Sequence, residues 1–425
     1  MPTREFDDAS IAERLFALRP RGTKLGIHRM QMLAEELGHP EASLPTLHIA
    51  GTNGKGSVAA MLESILRSSG WRVGLYTSPH LLHVGERVQV NRVPLSTAEI
   101  VDLLRDIDPA SDRVAERSGE EDRPSFFEYM TAMAFLHFRR SKCDIAVIET
   151  GLGGEFDATN IVSPEVSVIT SVGLDHCEWL GNTLAAIAQA KAGIIKRSTP
   201  VVVGKLPAEA DAVIRARAAQ VGAPVMSVYE RFGDALENYP RTNLAGDYQR
   251  WNAATATLAA EALSPKWHVT PQAISAGLTH VSWVGRWEQR KIGSRTLILD
   301  ASHNPEGAQV LDRNLTQLRE QTGRRPVVIV GVLGAERATP LLETIARHAA
   351  AIYLVVPNQP RASSHETLAK LIPASFTRPV VRSTVADIFT DPIHCTAGGE
   401  LDPVVVTGSI YLLGEVLARL NVSHV

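Results

Sequence analysis

Residues 46–57 read T-L-H-I-A-G-T-N-G-K-G-S, and V-A-A-M-L-E-S-I-L-R follows directly. An apolar run meets a glycine-rich turn, then a lysine and a serine, then a helical pattern. This is a strand, a phosphate loop and a helix. Gly51, Gly54 and Gly56 open backbone angles closed to other residues and let N–H groups approach an anion. The helix that follows turns free N–H groups and a positive dipole end toward the same anion. Lys55 adds a full positive charge, and Ser57 offers a hydroxyl for a magnesium ion. A strand over Trp71–Ser78 completes a βαβ unit, so the sequence predicts a nucleotide triphosphate site near the N-terminus.

The loop departs from the common pattern G-x-x-x-x-G-K-[ST], in which the hydroxyl residue follows the lysine directly. Here Gly56 intervenes, and Ile49 stands where the first glycine would fall. The competing reading is a glycine-rich β–α turn with a surface lysine. The strand–loop–helix context favours phosphate.

The chain has 425 residues, enough for two or three domains. Its net charge of −3 gives no electrostatic pull toward nucleic acid or anionic membrane. Cys143, Cys177 and Cys395 lack metal-ligand spacing and do not suggest a disulfide scaffold, which fits a cytoplasmic protein. No apolar run approaches the roughly 20 residues a membrane span needs.

Strands at Cys143–Glu149, Val166–Ser171 and Pro200–Val203 alternate with helices at Thr97–Ile107, Ser125–Phe138 and Thr183–Ile195, which argues a parallel sheet. Ligands of such sheets gather at the carboxyl ends of the strands, where the loops at Gly51, Ser78, Glu149 and His176 begin. Residues 108–124 are polar and proline-flanked, and are expected to form a mobile surface loop. A second α/β pattern begins near Gly293, with strands at Thr296–Asp300, Pro326–Val332, Ile352–Val356 and Val404–Thr407. Val284–Arg290 is the expected hinge. The predicted architecture is a mostly parallel P-loop ATPase domain over 1–287 and a smaller Rossmann-like α/β domain over 288–425. The second is expected to close on the first.

Glu149, at a strand end before G-L-G-G, is suited either to magnesium, which prefers oxygen ligands, or to capping the following turn. His176 shares that sheet edge, although a lone histidine is more often structural. Zinc is not expected beside Cys177, because no paired Cys or His lies at ligand spacing. Lys191, late in a helix, reads first as a solvated lysine near a helix C-terminus, which favours positive charge. Asp300 and His303, in D-A-S-H-N-P, lie at a strand-to-helix junction, where Asp300 suits a ribose or a helix cap.

The segments G-I-H-R-M, H-I-A-G-T-N-G-K-G-S, Y-T-S-P-H-L with E-R-V, S-F-F-E-Y, E-T-G-L-G-G-E-F-D-A-T-N, T-S-V-G-L-D-H-C-E-W-L-G, K-A-G-I, G-R-W, D-A-S-H-N-P, P-R-A and T-G-S-I-Y run in order from Gly26 to Tyr411. Together they resemble the folylpolyglutamate synthase/dihydrofolate synthase family of the Mur ligase superfamily. The resemblance implies an ATP-dependent amide ligase that adds L-glutamate to dihydropteroate or a reduced folate, working with ATP and two magnesium ions, as a cytoplasmic monomer. It implies that Thr52, Asn53, Gly54, Lys55, Gly56 and Ser57 hold the ATP phosphates, and that Asn252, Arg286, Asp300 and His303 are further nucleotide contacts. Ser78, Glu149 and His176 match magnesium ligands. Lys191 matches a lysine that the family carbamylates, which converts a cation into an anionic oxygen ligand. Lys55, Glu149, His176 and Lys191 form the implied catalytic set. The pterin acceptor is implied to lie against Thr23, Lys24 and Leu25, against Ser125, Phe126, Phe127 and Glu128, and against Phe156, Asp157 and Ala158. Phe126 and Phe127 also read as core residues at a helix start.

Three departures from the family pattern stand out. Glu155 and Phe156 replace a usual Arg-Leu pair, Ala190 replaces a glutamate, and Ala335–Arg337 replaces a usual D-K-D. Those at Glu155 and Ala335–Arg337 motivate one alternative, a P-loop module that binds nucleotide without turnover; a Mur-type ligase for another acid is a further alternative, against which the S-F-F-E segment and the ordered motif set argue.

Overall fold

The structure is a computed structural model that describes residues 8–18 and 26–421. The chain divides into two compact units, one of residues up to 243 with 249–281, the other of 244–248 with residues from 282 onward.

The first unit is built on an eight-stranded sheet. Its strands are β1 (Thr46–Ala50), β2 (Val73–Tyr76), β3 (Val88–Val90), β4 (Val93–Pro94), β5 (Ile145–Glu149), β6 (Val166–Ile169), β7 (Val201–Val203) and β8 (Val225–Ser227). Their spatial order is β4-β3-β2-β5-β1-β6-β7-β8. The run from β2 to β8 is parallel, while β3 and β4 are antiparallel additions at one edge. Every residue of β1, β5 and β6 is buried. That is why these strands are continuous apolar runs rather than alternating ones: helices cover both faces. One face is packed by helices Asp8–Ala17, Thr97–Ser118 and Phe126–Arg140, through Leu15, Ile107, Met130 and Phe135. Beyond β6, helices Leu184–Ala192 and Ala208–Val221 bury Ile187, Ile214 and Ala218 against β7.

The second unit carries a six-stranded sheet of β9 (Arg286–Ile292), β10 (Arg295–Asp300), β11 (Val327–Val330), β12 (Ala351–Leu354), β13 (Val380–Arg382) and β14 (Val404–Thr407). The order is β13-β12-β11-β14-β10-β9, parallel except for the edge pair β9/β10. Its core joins Ile298, Leu315, Val328, Leu342, Ile352 and Val405.

Two expectations are corrected. Residues 108–124 are not a loop: helix Thr97–Ser118 runs through Pro109, ends at Gly119, and a 3₁₀ turn follows at Glu120–Asp122. Ile107, Ala110, Ser111, Val114 and Ala115 supply a buried face at helical spacing, and this outweighs the polar composition. Pro109 lies on the exposed side, where water can hydrate the carbonyl that lacks its N–H partner. The expected hinge at 284–290 is instead largely β9, whose register pairs Arg286 with Asp300 and Leu297 with Arg290. Alternating charged residues disguised an edge strand as a linker.

Candidate active site

The glycine-rich turn joins a strand to a helix where the sequence predicts a phosphate loop. β1 ends at Ala50, and helix Lys55–Ser68 opens behind Gly54, whose φ of +84° is left-handed. The first helical hydrogen bond is Val58 N–H to Gly54 C=O at 2.9 Å. Gly54, as N-cap, has no side chain to cap the N–H groups ahead of it. Lys55 is half-buried, and its Nζ donates to the carbonyls of Gly51 at 3.1 Å and Thr52 at 3.4 Å.

Neighbouring loops clamp this turn. Thr52 Oγ1 donates to Gly173 C=O at 3.1 Å, and Thr52 N–H to Ser171 C=O at 2.9 Å. Asn53 N–H donates to Ser171 Oγ at 2.8 Å, and Thr170 Oγ1 donates to Asn53 C=O at 2.7 Å. A Cβ at Gly51 would collide with the Thr170 side chain, so only glycine lets the loop lie against the end of β6. Asn252, remote in sequence, reaches the same turn: a Cβ on Gly54 would strike its Oδ1.

Ser78, Glu149 and His176 leave the carboxyl ends of β2, β5 and β6. Ser78 N–H donates to Glu149 Oε2 at 3.1 Å, which brings the first two together. Glu149 is buried, and Thr150 N–H pins the chain after it to Ile49 C=O at 2.9 Å. His176 is half-buried and left-handed, with φ +52°, and its Nδ1 lies 4.0 Å from Glu178 Oε1. Its loop is the one tied to the phosphate turn through Ser171 and Gly173. Among the described residues, no three His, Cys, Asp or Glu side chains converge as a metal site. Ser78 and Glu149 thus lie side by side, and the His176 imidazole is carried on the loop tied to the phosphate turn.

Lys191 is not a solvated lysine. It is 3% exposed, and its Nζ donates to Gly51 C=O at 2.9 Å, beside the phosphate loop. Burial, and then the neighbouring charge of Lys55, push its pKa down to about 7. A neutral amine is thus available near neutral pH.

The glycine loop after Glu149 has its own anchor. Asp157 Oδ2 accepts the N–H groups of Gly151 and Leu152, each at 2.9 Å. Asp157 Oδ1 accepts Thr159 N–H at 3.0 Å and the Thr159 hydroxyl at 2.6 Å. Burial pushes the Asp157 carboxyl up, against the pull of these bonds. Thr159 Oγ1 also lies 2.8 Å from Nε2 of fully buried His48. The hydroxyl gives its proton to Asp157, so His48 must donate Nε2–H. Burial, then Lys196, push the His48 pKa down to about 3, which keeps the ring neutral.

The implied acceptor residues divide. Phe127 and Phe156 are about half exposed, at 48% and 51%, and offer aromatic faces. Phe126 is fully buried, 5.3 Å centroid to centroid from Phe16 and 5.2 Å beneath the Arg87 guanidinium. It supports its surroundings and cannot offer a face to a ligand. Ser125 and Glu128 are buried and form a capping box, and Glu128 Oε1 also pairs with Arg29 at 3.2 Å. Asp157 spends both oxygens on its own loop, and Ala158 is buried. Thr23, Lys24 and Leu25 lie outside the described residues.

In the second unit, Asp300 is buried at the end of β10. It accepts Trp287 N–H and Ser302 N–H, each at 3.1 Å. Burial pushes its carboxyl up. It does not cap the next helix; Asn304 does, accepting Gly307 N–H at 2.8 Å. Arg286 faces Asp300 across the β9/β10 register, and His303 Nδ1 lies 2.8 Å from Ala301 C=O. Ala335–Arg337 forms a short 3₁₀ turn. Sequence reasoning passed over Gln249, fully buried with its Nε2 3.3 Å from Ser57 Oγ. Its one signal was a glutamine three residues before Asn252, on the same helix face.

A model of the Mur ligase middle domain matches residues 49–229, and one of the Mur ligase glutamate ligase domain matches residues 285–410. The dihydrofolate synthase/folylpolyglutamate synthase of Bacillus subtilis (strain 168) is 38% identical over 424 residues, spanning 94% of this chain and 96% of that protein. Mycobacterium tuberculosis folylpolyglutamate synthase complexed with ADP is similar in structure with a TM-score of 0.85 at 29% identity, covering 99% of this chain and 100% of that one. E. coli FolC in complex with DHPP and ADP gives a TM-score of 0.83 at 29% identity, covering 99% of each chain. With a glycine-rich strand–loop–helix turn, Ser78 and Glu149 held together at the neighbouring strand ends, and both domain models matched in order, the chain belongs to the folylpolyglutamate synthase/dihydrofolate synthase family of Mur ligases.

Proposed function

We propose that Thr52–Ser57, Ser78, Glu149, His176 and Lys191 form the centre at which this chain carries out its family's reaction. The chain is an ATP-dependent ligase that adds L-glutamate to a folate-type carboxylate. One observation carries the assignment: the phosphate loop, Ser78, Glu149 and the His176 loop all leave the carboxyl ends of four adjacent parallel strands, β2, β5, β1 and β6.

The residues fit a divalent cation. A buried carboxylate beside a serine is a hard oxygen set suited to magnesium, with water completing the shell. Ser78, Glu149 and His176 would hold the metal. The ammonium form of Lys191 repels a cation, whereas its carbamate supplies an oxygen ligand, and a pKa of about 7 makes the amine nucleophilic toward carbon dioxide. Bound magnesium supplies charge neutralisation between acid and triphosphate.

The chemistry runs in two displacements. The acceptor carboxylate attacks the γ-phosphorus of ATP; ADP leaves and an acyl phosphate forms. The amine of glutamate then attacks the acyl carbon, phosphate leaves, and the nitrogen gives up a proton to yield the amide. Lys55 and the free N–H groups behind Gly54 hold the phosphates and stabilise charge as it develops on the transferring group. We assign Asn252, Arg286, Asp300 and His303 to the nucleotide, and the exposed faces of Phe127 and Phe156 to the pterin. Both dihydropteroate and reduced folates are the proposed acceptors. A cytoplasmic monomer is proposed with them; among the described residues no helix is long and apolar enough to cross a membrane.

The test is an assay of purified protein with ATP, magnesium, L-glutamate and either 7,8-dihydropteroate or tetrahydrofolate, read by product mass. One added glutamyl residue on each acceptor, with stoichiometric phosphate release, is expected. ATP binding without a glutamylated product from either acceptor would overturn the reading.

A further inference from the structure

Helix Asp247–Glu261 carries Gln249 and Asn252 one turn apart on one face. Gln249 is completely buried. Its Oε1 accepts from Asn252 Nδ2 at 2.9 Å, which fixes the orientation of its amide group. Its Nε2 therefore faces Ser57 and donates to Oγ at 3.3 Å. Asn252 in turn packs its Oδ1 against Gly54. A chain of two carboxamides thus spans the first turn of the phosphate-loop helix, from its N-cap at Gly54 to its third residue at Ser57.

The consequence lies in the Ser57 hydroxyl. A serine oxygen has one proton to give and two lone pairs. Gln249 occupies one lone pair, and Ser57 is 2% exposed, so the rotor has little freedom. The proton and the second lone pair are left to a ligand at the loop. A methionine at position 249 would fill the same volume and leave the hydroxyl free to turn.

We propose that Gln249 is a positioning residue for the nucleotide. It acts through Ser57 by presetting the hydroxyl toward the triphosphate and its metal, and Asn252 locks the Gln249 amide in the required orientation. This rests on the reading of Thr52–Ser57 as the phosphate cradle.

The test is a mutant cycle on the full chain with Gln249→Met, Ser57→Ala and the double variant. Calorimetry with a non-hydrolysable ATP analogue and magnesium gives Kd, and steady-state assays give KM for ATP, glutamate and acceptor. Gln249→Met is expected to weaken the analogue about tenfold, the value of one well-placed hydrogen bond to a group that meets a charged ligand. KM for glutamate and for the acceptor should stay unchanged. On the Ser57→Ala background Gln249→Met should lose most of its effect, because the hydroxyl it orients is gone and only the loosened Asn252 amide remains to be felt. Wild-type affinity in Gln249→Met, multiplying effects of the two substitutions, or equal losses for all three substrates would each overturn the proposal. Should the methionine variant not fold, Gln249→Asn keeps the amide but falls one methylene short, with the same expectation. Failure of the wild-type protein to bind the analogue would instead remove the cradle reading itself.

Discussion

Replacing Lys191 by methionine should flatten the pH dependence of stability above neutrality. Nζ sits in a buried position beside Lys55, and its pKa falls from an ordinary 10.5 to about 7, with Asp175 and Asp157 only partly compensating. Below pH 7 the amine is charged in both folded and unfolded chains, and the folded state bears the whole penalty of burying that charge. Between pH 7 and 10.5 the unfolded chain holds one proton more than the folded chain, so stability rises with pH. Well inside that window each pH unit is worth about 1.4 kcal/mol; with half the amines already neutral at pH 7, wild type should gain about 2 kcal/mol between pH 7 and 9 from this group. Lys191→Met carries neither the charge nor the gain. Urea unfolding of both proteins at pH 7, 8 and 9, in buffer stripped of carbon dioxide, gives the difference, in which all other titrations cancel. The variant should be the more stable at pH 7, with its advantage shrinking by about 2 kcal/mol at pH 9. An advantage that stays constant with pH would refute the assignment of a neutral amine at Gly51. With ¹³C-bicarbonate, wild type should show a carbamate resonance that Lys191→Met lacks.

Lys55→Ala should lower turnover by about a hundredfold or more with little change in melting temperature, because its Nζ contacts only loop carbonyls; steady-state kinetics with a thermal melt checks both. Glu149→Gln should raise the magnesium needed for half-maximal rate by about tenfold, read from a magnesium titration at saturating ATP. Thr159→Val should destabilise by about 1–3 kcal/mol in urea, since it strands His48 Nε2–H and removes a donor from buried Asp157.

The sequence exposed most of the first sheet because its strands are buried on both faces and read as uninterrupted apolar runs. The edges were harder. β8 and β13 are three residues each, and β9 alternates charge with bulk as a half-exposed edge strand must. Helix Thr97–Ser118 was cut short by Pro109, a residue that an exposed helical position tolerates more readily than a sequence rule suggests. At the site, residue type pointed to Lys55 and Glu149. Nothing local distinguished Phe126 from Phe127, since the two differ only in which side of a helix start they face. Lys191 looked like any lysine near a helix end; its burial depends on Gly51, 140 positions away in the chain.

That distance shows why the site assembles at all. In a parallel sheet the register decides which loops become neighbours. Ile49 pairs with Glu149, Ala50 with Ile169, and Tyr76 with Ile148. The last residues of four strands therefore stand nearly level, and the next few residues of each must meet above the rim. Shifting β5 by one residue would turn Glu149 to the other face of the sheet and carry the Gly151–Gly154 loop with it. Thr150 N–H to Ile49 C=O and Thr170 N–H to Ala50 C=O, both 2.9 Å, extend the two ladders one bond past the strands. They hold that register at the point where the metal and phosphate groups are proposed to sit. The geometry of the proposed centre is thus set first by backbone pairing, and the side chains assigned to it occupy positions the sheet has already chosen.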